Sequence, residues 1–328
     1  MQIGKVPNEV LEKVVFSNIK IRRKEVLTGG GIGEDSAIVD FGEDVLVMST
    51  DPITGTTKNI GSLAIHISCN DVSTSGAEPI GVMMTILLPP DTSEDELNEI
   101  MTDAGNAAKE LNVEIIGGHT EVTDSVNRVV ISTTVIGKQK KDKLPDHKSV
   151  KLGDKVIISK YIGIEGTSII AKELEERLID KIGNDKLEEA KKMDSMLSVA
   201  KEGVMAGKFG AKYMHDITEG GLLGAVWEAS KAVNKGIKIY DHLIPVKDVT
   251  KEISQILSID PYKLISSGSM LIIMDEDGFY ELKEELGKQG INVSIIGEIT
   301  QTDILMVKDG KERVIEAPGS DELYRALK

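Results

Sequence analysis

The sequence predicts a mixed α and β protein of about two domains. Short apolar runs alternate with helical patterns in both halves of its 328 residues. A basic segment without apolar periodicity, residues 138–151, separates the halves and predicts a linker or an exposed hairpin. We therefore expect one domain over residues 1–148 and a second over residues 149–328.

The first half combines short strands with two helices. Five apolar runs indicate strands: Ala37–Phe41, Val45–Met48, Ile80–Leu88, Val113–Ile116 and Val129–Ile136. Apolar residues recur at helical spacing from Ile60 to Ile67 and from Leu97 to Leu111. The second helix opens with a capping box, Ser93-x-x-Glu96, which predicts its first turn.

The second half repeats this alternation of elements. A long helix is predicted through Leu187–Gly207, a shorter one from about Gly166, and another over Gly220–Val233. The predicted strands are Lys155–Ser159, Ile237–Tyr240, Met270–Met274, Val293–Ile296 and Ile304–Val307. We find no repeat of short period.

The composition excludes several classes of protein. With 39 Lys and Arg against 54 Asp and Glu, the net charge of −15 repels a phosphate backbone, so we expect no nucleic-acid partner. The longest apolar stretch, Ile80–Leu88, is far too short to span a membrane, and the N-terminal residues lack a signal-peptide pattern. The single cysteine can form neither an internal disulfide nor a thiolate metal cluster, which fits a cytoplasmic protein.

Four carboxylates stand apart from the charge runs that form an ordinary solvated surface. Asp35 follows a run of glycines that includes Gly31 and Gly33. Such a run can turn backbone N–H groups toward an anion, although a plain turn has the same sequence. Asp51 ends a predicted strand and faces a hydroxyl-rich loop, although an Asp-Pro turn is the alternative. For both residues a ligand site and a simple turn stay open.

Asp71 gives the sharpest signal. It shares a helical stripe with Ala64 and Ile67, so a helix would bury its carboxylate. Burial of a carboxylate costs several kcal/mol unless a partner or a cation compensates. Asn70 and the small residues that follow Asp71 leave room for a ligand. The alternative is that the helix ends near Asn70 and that Asp71 caps the next turn.

Two further segments combine glycines with polar side chains. Asp216 lies in His215–Gly221, before a helix whose first N–H groups would suit a phosphate; N-capping by Thr218 is the alternative. The Gly-rich loop Gly117–Glu121 contains His119, which would be a structural histidine or a hydrogen-bond donor to a phosphate. Carboxylates spread over several loops indicate hard oxygen ligation, which favours Mg²⁺ carried with nucleotide phosphates over zinc or iron.

Five motifs occur in an order that resembles one ATP-using superfamily. They are Gly31–Ser36, Ser49–Asp51, Asn70–Pro79, Gly117–Thr120 and Asp216–Gly221. The superfamily includes aminoimidazole ribonucleotide (AIR) synthetase, selenophosphate synthetase, thiamine-monophosphate kinase and the hydrogenase maturation factor HypE. Three other segments are most similar to those of HypE proteins: Ile131–Gly137, Leu152–Ser159 and Ile295–Ile299.

The resemblance implies a PurM-like, two-domain α+β fold. An N-terminal α/β domain, which binds ATP and Mg²⁺, would pair its strands with a second subunit in a dimeric β-barrel. A C-terminal α/β domain would pack beside it. The resemblance therefore implies a homodimer, with the nucleotide in a cleft near the dimer interface.

Matched position by position, the resemblance also implies the site. Asp35, Asp51 and Asp71 would hold Mg²⁺, and Asp71 and His119 would act in catalysis. Contacts with the nucleotide would come from Gly31, Gly33, Asn70, Gly117, Gly118, Thr120 and Asp216. The implied chemistry is attack of a substrate oxygen or other nucleophile on a phosphate of ATP, catalysed mainly by positioning and charge neutralisation.

One departure affects the expected reaction. HypE proteins end in a tail whose terminal Cys carries the carbamoyl group that is dehydrated, whereas this sequence ends at Lys328 and has its one cysteine at Cys69. We expect a HypE-like enzyme acting on an unspecified small molecule, with a carbamoyl-transferase-type protein as a possible partner. The alternatives are a small-molecule kinase and a non-catalytic nucleotide-binding scaffold. Specificity would reside near Ile53–Asn59 and Tyr161–Thr167.

Overall fold

The computed structural model describes residues 8–19, 21, 23–53 and 59–328. In these residues the strands are β1 (Val26–Thr28), β2 (Ala37–Phe41), β3 (Asp44–Ile53), β4 (Glu78–Leu88), β5 (Glu114–Val122), β6 (Val130–Lys140), β7 (Lys155–Ser159), β8 (Tyr213–Asp216), β9 (Gly236–Tyr240), β10 (Met270–Met274), β11 (Val293–Thr300), β12 (Ile304–Lys308) and β13 (Lys311–Val314). The α-helices are α1 (Asn8–Val10), α2 (Ile60–Ser73), α3 (Glu94–Leu111), α4 (Ile164–Glu173), α5 (Glu175–Ile182), α6 (Asn184–Lys191), α7 (Ala200–Lys208), α8 (Gly221–Val233), α9 (Asp248–Leu257), α10 (Glu276–Gly287) and α11 (Glu322–Ala326). A π-helix covers Leu11–Val15, and 3₁₀ turns cover Phe16–Asn18, Lys141–Lys143, His147–Ser149, Lys192–Met196, Asp241–Leu243 and Pro261–Lys263.

The first sheet has the strand order β1-β2-β3-β6-β4-β5, and only β4 and β5 run parallel. Helices α2 and α3 cover one face of it. Residues Val45 and Val47 of β3 point into this core and are almost fully buried, as alternation along a strand requires. The two helices approach closely because Gly61 has no side chain: a Cβ there would lie 2.1 Å from the carbonyl oxygen of Ile100.

The second sheet has the order β13-β12-β9-β11-β7-β10-β8, with β12 and β9 as its parallel pair. It lies between helix α8 on one face and helices α7 and α10 on the other. Every residue of β10 is buried, because both faces of this strand are covered. This explains why Met270–Met274 is an uninterrupted apolar run. The two sheets with their helices confirm the predicted α+β class.

Helix α2 connects the two halves of the molecule by packing against α7. A Cβ on Gly203 of α7 would lie 2.2 Å from the carbonyl oxygen of Ser73, so the two backbones are in direct contact. Beside this contact, the amide of Asn70 accepts from the N–H of Val199 and donates to the carbonyl of Leu197, both at 2.8 Å. The orientation of the second domain therefore depends on the last turns of α2.

The junction also corrects one prediction about secondary structure. The single helix predicted over Leu187–Gly207 is wrong, because α6 and α7 are separated by a 3₁₀ turn and a non-helical segment. The apolar periodicity continues through this segment. Its backbone groups at Leu197 and Val199 are bonded to Asn70 instead of to neighbouring turns of a helix. The predicted linker also begins inside β6, which continues to Lys140.

Replacing Gly203 with Ala should separate the two domains slightly. The added methyl group would overlap the backbone of α2, and we expect a loss of about 1–3 kcal/mol in the free energy of unfolding. Gly105→Ala is the matched control, since Gly105 is also inside a helix but has open space around it. That control should be neutral or slightly stabilising because alanine favours a helix. Urea unfolding of both variants tests this; equal effects would contradict the close contact.

In the part of the chain that the structure describes, no helix is both long enough and apolar enough to cross a membrane.

Candidate metal centre

Asp71 lies within the last turn of α2, and its side chain is buried, with 6% of the residue exposed. The alternative in which the helix ends before this residue is therefore wrong. The Oγ of Ser49 on β3 donates to Oδ2 of Asp71 at 2.5 Å. Burial, together with the negative charges of Asp216, Asp51 and Asp35, raises the pKa of Asp71 well above its usual value. A buried carboxylate among three others requires a positive charge to be stable in its ionised form.

Asp51 lies inside β3 and not at its tip. The strand continues through Pro52 to Ile53, which excludes the alternative of a simple Asp-Pro turn. Because side chains alternate along a strand, Asp51 lies on the same face as Ser49, toward α2 and Asp71. The residues that follow, 54–58, lie outside the described residues, and so does most of the predicted specificity segment that they belong to.

The second domain contributes Asp216 from the end of β8. All four residues of this strand are buried, and Asp216 is 1% exposed. Donor atoms of Asp35, His215 and Asp216 lie within 4.8 Å of one another. Carboxylates that are 181 residues apart in the sequence, at positions 35 and 216, therefore meet at the domain junction. Together with Asp51 and Asp71 they form what we call the carboxylate cluster.

His215 is a member of this site that sequence patterns did not predict. Its Nδ1 lies 2.7 Å from Oδ1 of Asp35, and its Nε2 lies 3.0 Å from Oε2 of Glu228 on α8. Burial alone lowers the pKa of His215, but the charges and hydrogen bonds of Asp35 and Glu228 raise it well above its usual value. The ring is therefore an imidazolium that donates from both nitrogens. The only signal in the sequence is that a second titratable residue directly precedes Asp216, and this signal is weak.

The glycine run before Asp35 is a turn held against the second domain. Gly33 has a φ of +75°, and its carbonyl accepts a hydrogen bond from the hydroxyl of Tyr213 at 3.0 Å. The amide of Glu34 bonds back to Gly31, which closes the turn. The plain-turn interpretation is thus correct for the backbone, and the turn also delivers Asp35 to β8.

The segment Gly117–Thr120 is part of β5, so its prediction as a loop is wrong. Gly118 pairs with Met84, Met84 with Thr133, and Thr133 with Asp51, so Gly118 lies three strands from the carboxylate cluster. At about 4.8 Å per strand this separation is roughly 14 Å. His119 is exposed and forms an ion pair with Glu121 at 3.4 Å when it is protonated. Within one chain these residues do not join the cluster.

Two other predicted ligand contacts have different partners in the structure. Both ends of the Asn70 amide bind the backbone of the second domain, so this side chain positions the junction and is not available to a nucleotide. At the start of α8, the N–H of Gly220 donates to Oδ2 of Asp321 at 2.7 Å. This helix terminus therefore has an internal carboxylate where a phosphate was expected, and Thr218 is not its side-chain cap.

The carboxylate cluster fits Mg²⁺. Its donors are the carboxylate oxygens of Asp35, Asp51, Asp71 and Asp216, the hard ligands that this ion prefers. The imidazolium of His215 cannot bind a metal while it donates to both of its neighbours, so it acts as a positioning residue for Asp35. The single positive charge of His215 does not balance the four carboxylates of the cluster. A divalent cation would offset the remaining negative charge.

Comparison with known proteins identifies the family. Residues 33–139 match the AIR synthase related protein, N-terminal domain, and residues 151–309 match the C-terminal domain of the same family. The chain belongs to the AIR synthase-related family. Both halves of the carboxylate cluster lie inside the matched ranges, Asp35 to Asp71 in the first and Asp216 in the second.

The relatives within this family are of the HypE type. A putative hydrogenase expression/formation protein of Methanocaldococcus jannaschii is 29% identical over 98% of this chain and 96% of its own length. The carbamoyl dehydratase HypE of Bradyrhizobium diazoefficiens is 28% identical over 74% of this chain and 70% of its own length. Both alignments include most of each protein, so the similarity is not limited to a single motif.

Solved structures give the same fold. The structure of a HypE–HypF complex matches with a TM-score of 0.77 and 26% identity, over 94% of this chain and 99% of that chain. The structure of HypE in complex with ATP matches with a TM-score of 0.73 at 21% identity, over 98% and 97% of the two chains. AaThiL complexed with AMPPCP and TMP matches at 0.73 and 17% identity, over 97% and 99%. The last two similarities establish the fold alone.

Proposed function

We propose that this protein is an ATP- and Mg²⁺-dependent enzyme of the HypE type that activates a substrate oxygen by phosphoryl transfer. The observation that carries the proposal is that Asp35 and Asp216, from the two domains, have donor atoms within 4.8 Å of each other, and that both of them and Asp51 raise the pKa of the buried Asp71. A fold of this size has no structural need for buried carboxylates that repel one another. A HypE structure in complex with ATP has the same fold, so the fold is one that can hold this nucleotide.

Each residue of the cluster has a proposed role. Asp35, Asp51, Asp71 and Asp216 would hold Mg²⁺, which supplies positive charge against the phosphates when it is bound. His215 keeps the carboxylate of Asp35 oriented through its hydrogen bond. The turn at Gly33, fixed by Tyr213, keeps Asp35 next to β8. Because these groups are fixed before a substrate arrives, the site needs little reorganisation to bind a charged ligand.

The proposed substrate class follows from the relatives. Relatives are named carbamoyl dehydratase, which removes the elements of water from a carbamoyl group. Cys69 lies inside α2 with no exposed surface, and burial raises the pKa of its thiol to about 12. This sulfur cannot carry a group into the site. We propose that the activated amide is a carbamoyl group supplied by a carbamoyl-transferase-type partner, and the structure of a HypE–HypF complex supports this source.

An isotope experiment tests the reaction. The protein is incubated with Mg²⁺, ATP and a thiocarbamate, R–S–C(=O)NH₂, whose carbonyl oxygen is ¹⁸O. We expect the oxygen to attack the γ-phosphorus with loss of ADP, and then to leave with the phosphate as two N–H protons are lost. The products would be R–S–C≡N, ADP and inorganic phosphate containing one ¹⁸O.

Three other outcomes would contradict this proposal in distinguishable ways. A stable phosphorylated product, with ¹⁸O retained in it, would indicate a small-molecule kinase. Binding of ATP without release of ADP, in the presence or absence of the thiocarbamate, would indicate a non-catalytic scaffold. Formation of phosphate without ¹⁸O would indicate hydrolysis by water. A variant of the cluster, Asp51→Asn, is the control for contaminating ATPase activity.

We further propose that two copies of the chain form a homodimer through the first sheet. The face opposite α2 and α3 exposes apolar side chains, among them Ile80 at 48%, Met83 at 47% and Ile116 at 49%. Isolated exposed apolar residues are common, but several on one sheet face are typical of an interface.

Replacing Ile116 with Asp should dissociate this dimer. The new charge would lie in the middle of the apolar face, and burying it without a partner costs several kcal/mol, which weakens the association by orders of magnitude. Light scattering should give the mass of two chains for the wild type and of one chain for the variant. Val314→Asp is the matched control, since Val314 is 63% exposed on an edge strand of the other sheet. A wild-type mass of one chain would contradict the dimer.

A further inference from the structure

A cavity of about 280 Å³ lies between the two domains, on the side of α2 away from the metal centre. Its walls come from α2 and α3 of the first domain and from α4 and the segment 194–197 of the second. His66 lines it from α2, five positions before Asp71. Five residues correspond to a rotation of about 140° around a helix, so the two side chains point to different sides of α2. The cavity is therefore separate from the carboxylate cluster.

Two of the buried groups that line this cavity have a polar atom without a partner. Nδ1 of His66 and Oε2 of Glu165 form no hydrogen bond in the part of the chain that the structure describes. Each residue is only 6% exposed. Buried polar atoms are nearly always hydrogen-bonded, because leaving one unpaired costs about 1–3 kcal/mol. Two in one cavity indicate that a bound molecule provides the missing partners.

The charges around the cavity indicate the sign of that molecule. Among the described residues that line it are the carboxylates of Glu110, Glu165, Glu173 and Asp194 and one cation, Lys172. Lys172 is already ion-paired with Asp194. Burial lowers the pKa of His66, which favours a neutral ring with one acceptor nitrogen, and raises the pKa of Glu165 to about 7, so that Glu165 gains from a nearby cation. An anion would be repelled.

The remaining walls fit an organic molecule better than a bare metal ion. Leu63, Ile169 and Leu197 provide an apolar surface on which an organic group could pack. Among the described residues, only Asp35, His215 and Asp216 bring three or more metal-binding atoms within 4.8 Å of one another. His66 and Glu165 belong to no such group. The lining thus combines two separate polar groups, His66 and Glu165, with an apolar wall.

We propose that this interdomain cavity is a binding site for a small organic cation that carries N–H donors, such as an alkylammonium or alkylguanidinium group. The cation would donate to His66 and Glu165 while its carbon atoms contact Leu63 and Ile169. Since the walls belong to both domains, the bound molecule would also stabilise their relative orientation. This site is independent of the proposed reaction with ATP.

Calorimetric titration of the full chain with methylguanidinium and with butylammonium tests the proposal. The titrations are done at about pH 8 with a chelator and without nucleotide, so that the metal centre does not contribute. We expect saturable binding of at least one of the two cations. The neutral N-methylacetamide and the anion acetate, probes of similar size, should bind at least about tenfold more weakly.

Three variants locate the binding. Ser62→Trp should abolish it by filling the cavity from a half-buried position of α2, whereas Ser62→Ala at the same position should preserve it. Glu165→Gln should weaken it by about tenfold, with the exposed Glu176→Gln as its control. Absence of saturable binding of both cations would overturn the proposal and leave water as the occupant. So would equal binding of the neutral probe, or unchanged binding by a folded Ser62→Trp protein.

Discussion

Asp71→Asn is expected to stabilise the metal-free protein and to abolish its Mg²⁺-dependent binding of ATP. The buried carboxyl has a pKa well above its usual value, because burial and three neighbouring carboxylates disfavour its charged form. A carboxyl whose pKa is higher in the folded than in the unfolded chain costs stability at every pH above the unfolded value of about 4. Asparagine removes that cost and can still accept the hydrogen bond of Ser49. We expect a gain of about 1–3 kcal/mol near neutral pH.

Urea unfolding with a chelator measures the first effect, and titration calorimetry with ATP and Mg²⁺ measures the second. The gain in stability should disappear near pH 4, where the carboxyl is protonated in the folded protein and increasingly so in the unfolded chain. Asp180→Asn, an exposed residue of α5, is the matched control and should change neither quantity. If Asp71→Asn destabilises the protein and keeps its Mg²⁺-dependent affinity, then the assignment of Asp71 as a metal ligand is wrong.

His215→Ala is expected to lower the free energy of unfolding by more than Gly203→Ala does. The imidazolium lies between Asp35 and Glu228, and its removal leaves two carboxylates in a buried space without their shared partner. Breaking a buried charge pair by deleting one side typically costs about 3–5 kcal/mol. Adding Glu228→Gln to the variant should recover part of this loss, because one of the unpaired charges is then removed.

Urea unfolding of the single and double variants measures this coupling. His242→Ala is the control, since His242 is an exposed histidine of the same domain. A loss below about 1 kcal/mol for His215→Ala would mean that water replaces the ring without cost, and that His215 is not a charged link in the site. A lack of recovery by Glu228→Gln would exclude the shared-partner explanation.

Much of the fold could be predicted from sequence because local patterns determine it. The capping box Ser93–Glu96 forms as expected at the start of α3. The continuous apolar run of β10 indicates a strand covered on both faces. The predicted helix Leu187–Gly207 failed for a non-local reason: the hydrogen bonds that separate α6 from α7 come from Asn70, more than a hundred residues earlier. A pattern confined to one segment cannot contain that information.

The candidate site shows the same limit. Asp71 could be found from the sequence because it is a charged residue at a position where the helical pattern predicts an apolar one. The approach of Asp71 to Asp216 depends on how the two domains pack, which periodicity within one segment cannot indicate. The prediction that both residues belong to one site therefore came from the resemblance to a family. His215 gave almost no signal, because its role comes from Glu228 on a different element. The Gly117–Thr120 segment was predicted to be a loop and is part of a strand. Glycine is typical of turns but also occurs in edge strands, so its presence does not distinguish the two.

The most direct test of the metal centre is crystallographic. Mn²⁺, which prefers the same oxygen ligands as Mg²⁺, is added together with a non-hydrolysable analogue of ATP, and its anomalous scattering is measured. We predict a peak about 2.1–2.2 Å from carboxylate oxygens of Asp71 and at least one of Asp35, Asp51 and Asp216, with the phosphates of the analogue beside it. A nucleotide bound elsewhere, with no Mn²⁺ at these carboxylates, would contradict the assignment of this junction as the site of ATP chemistry.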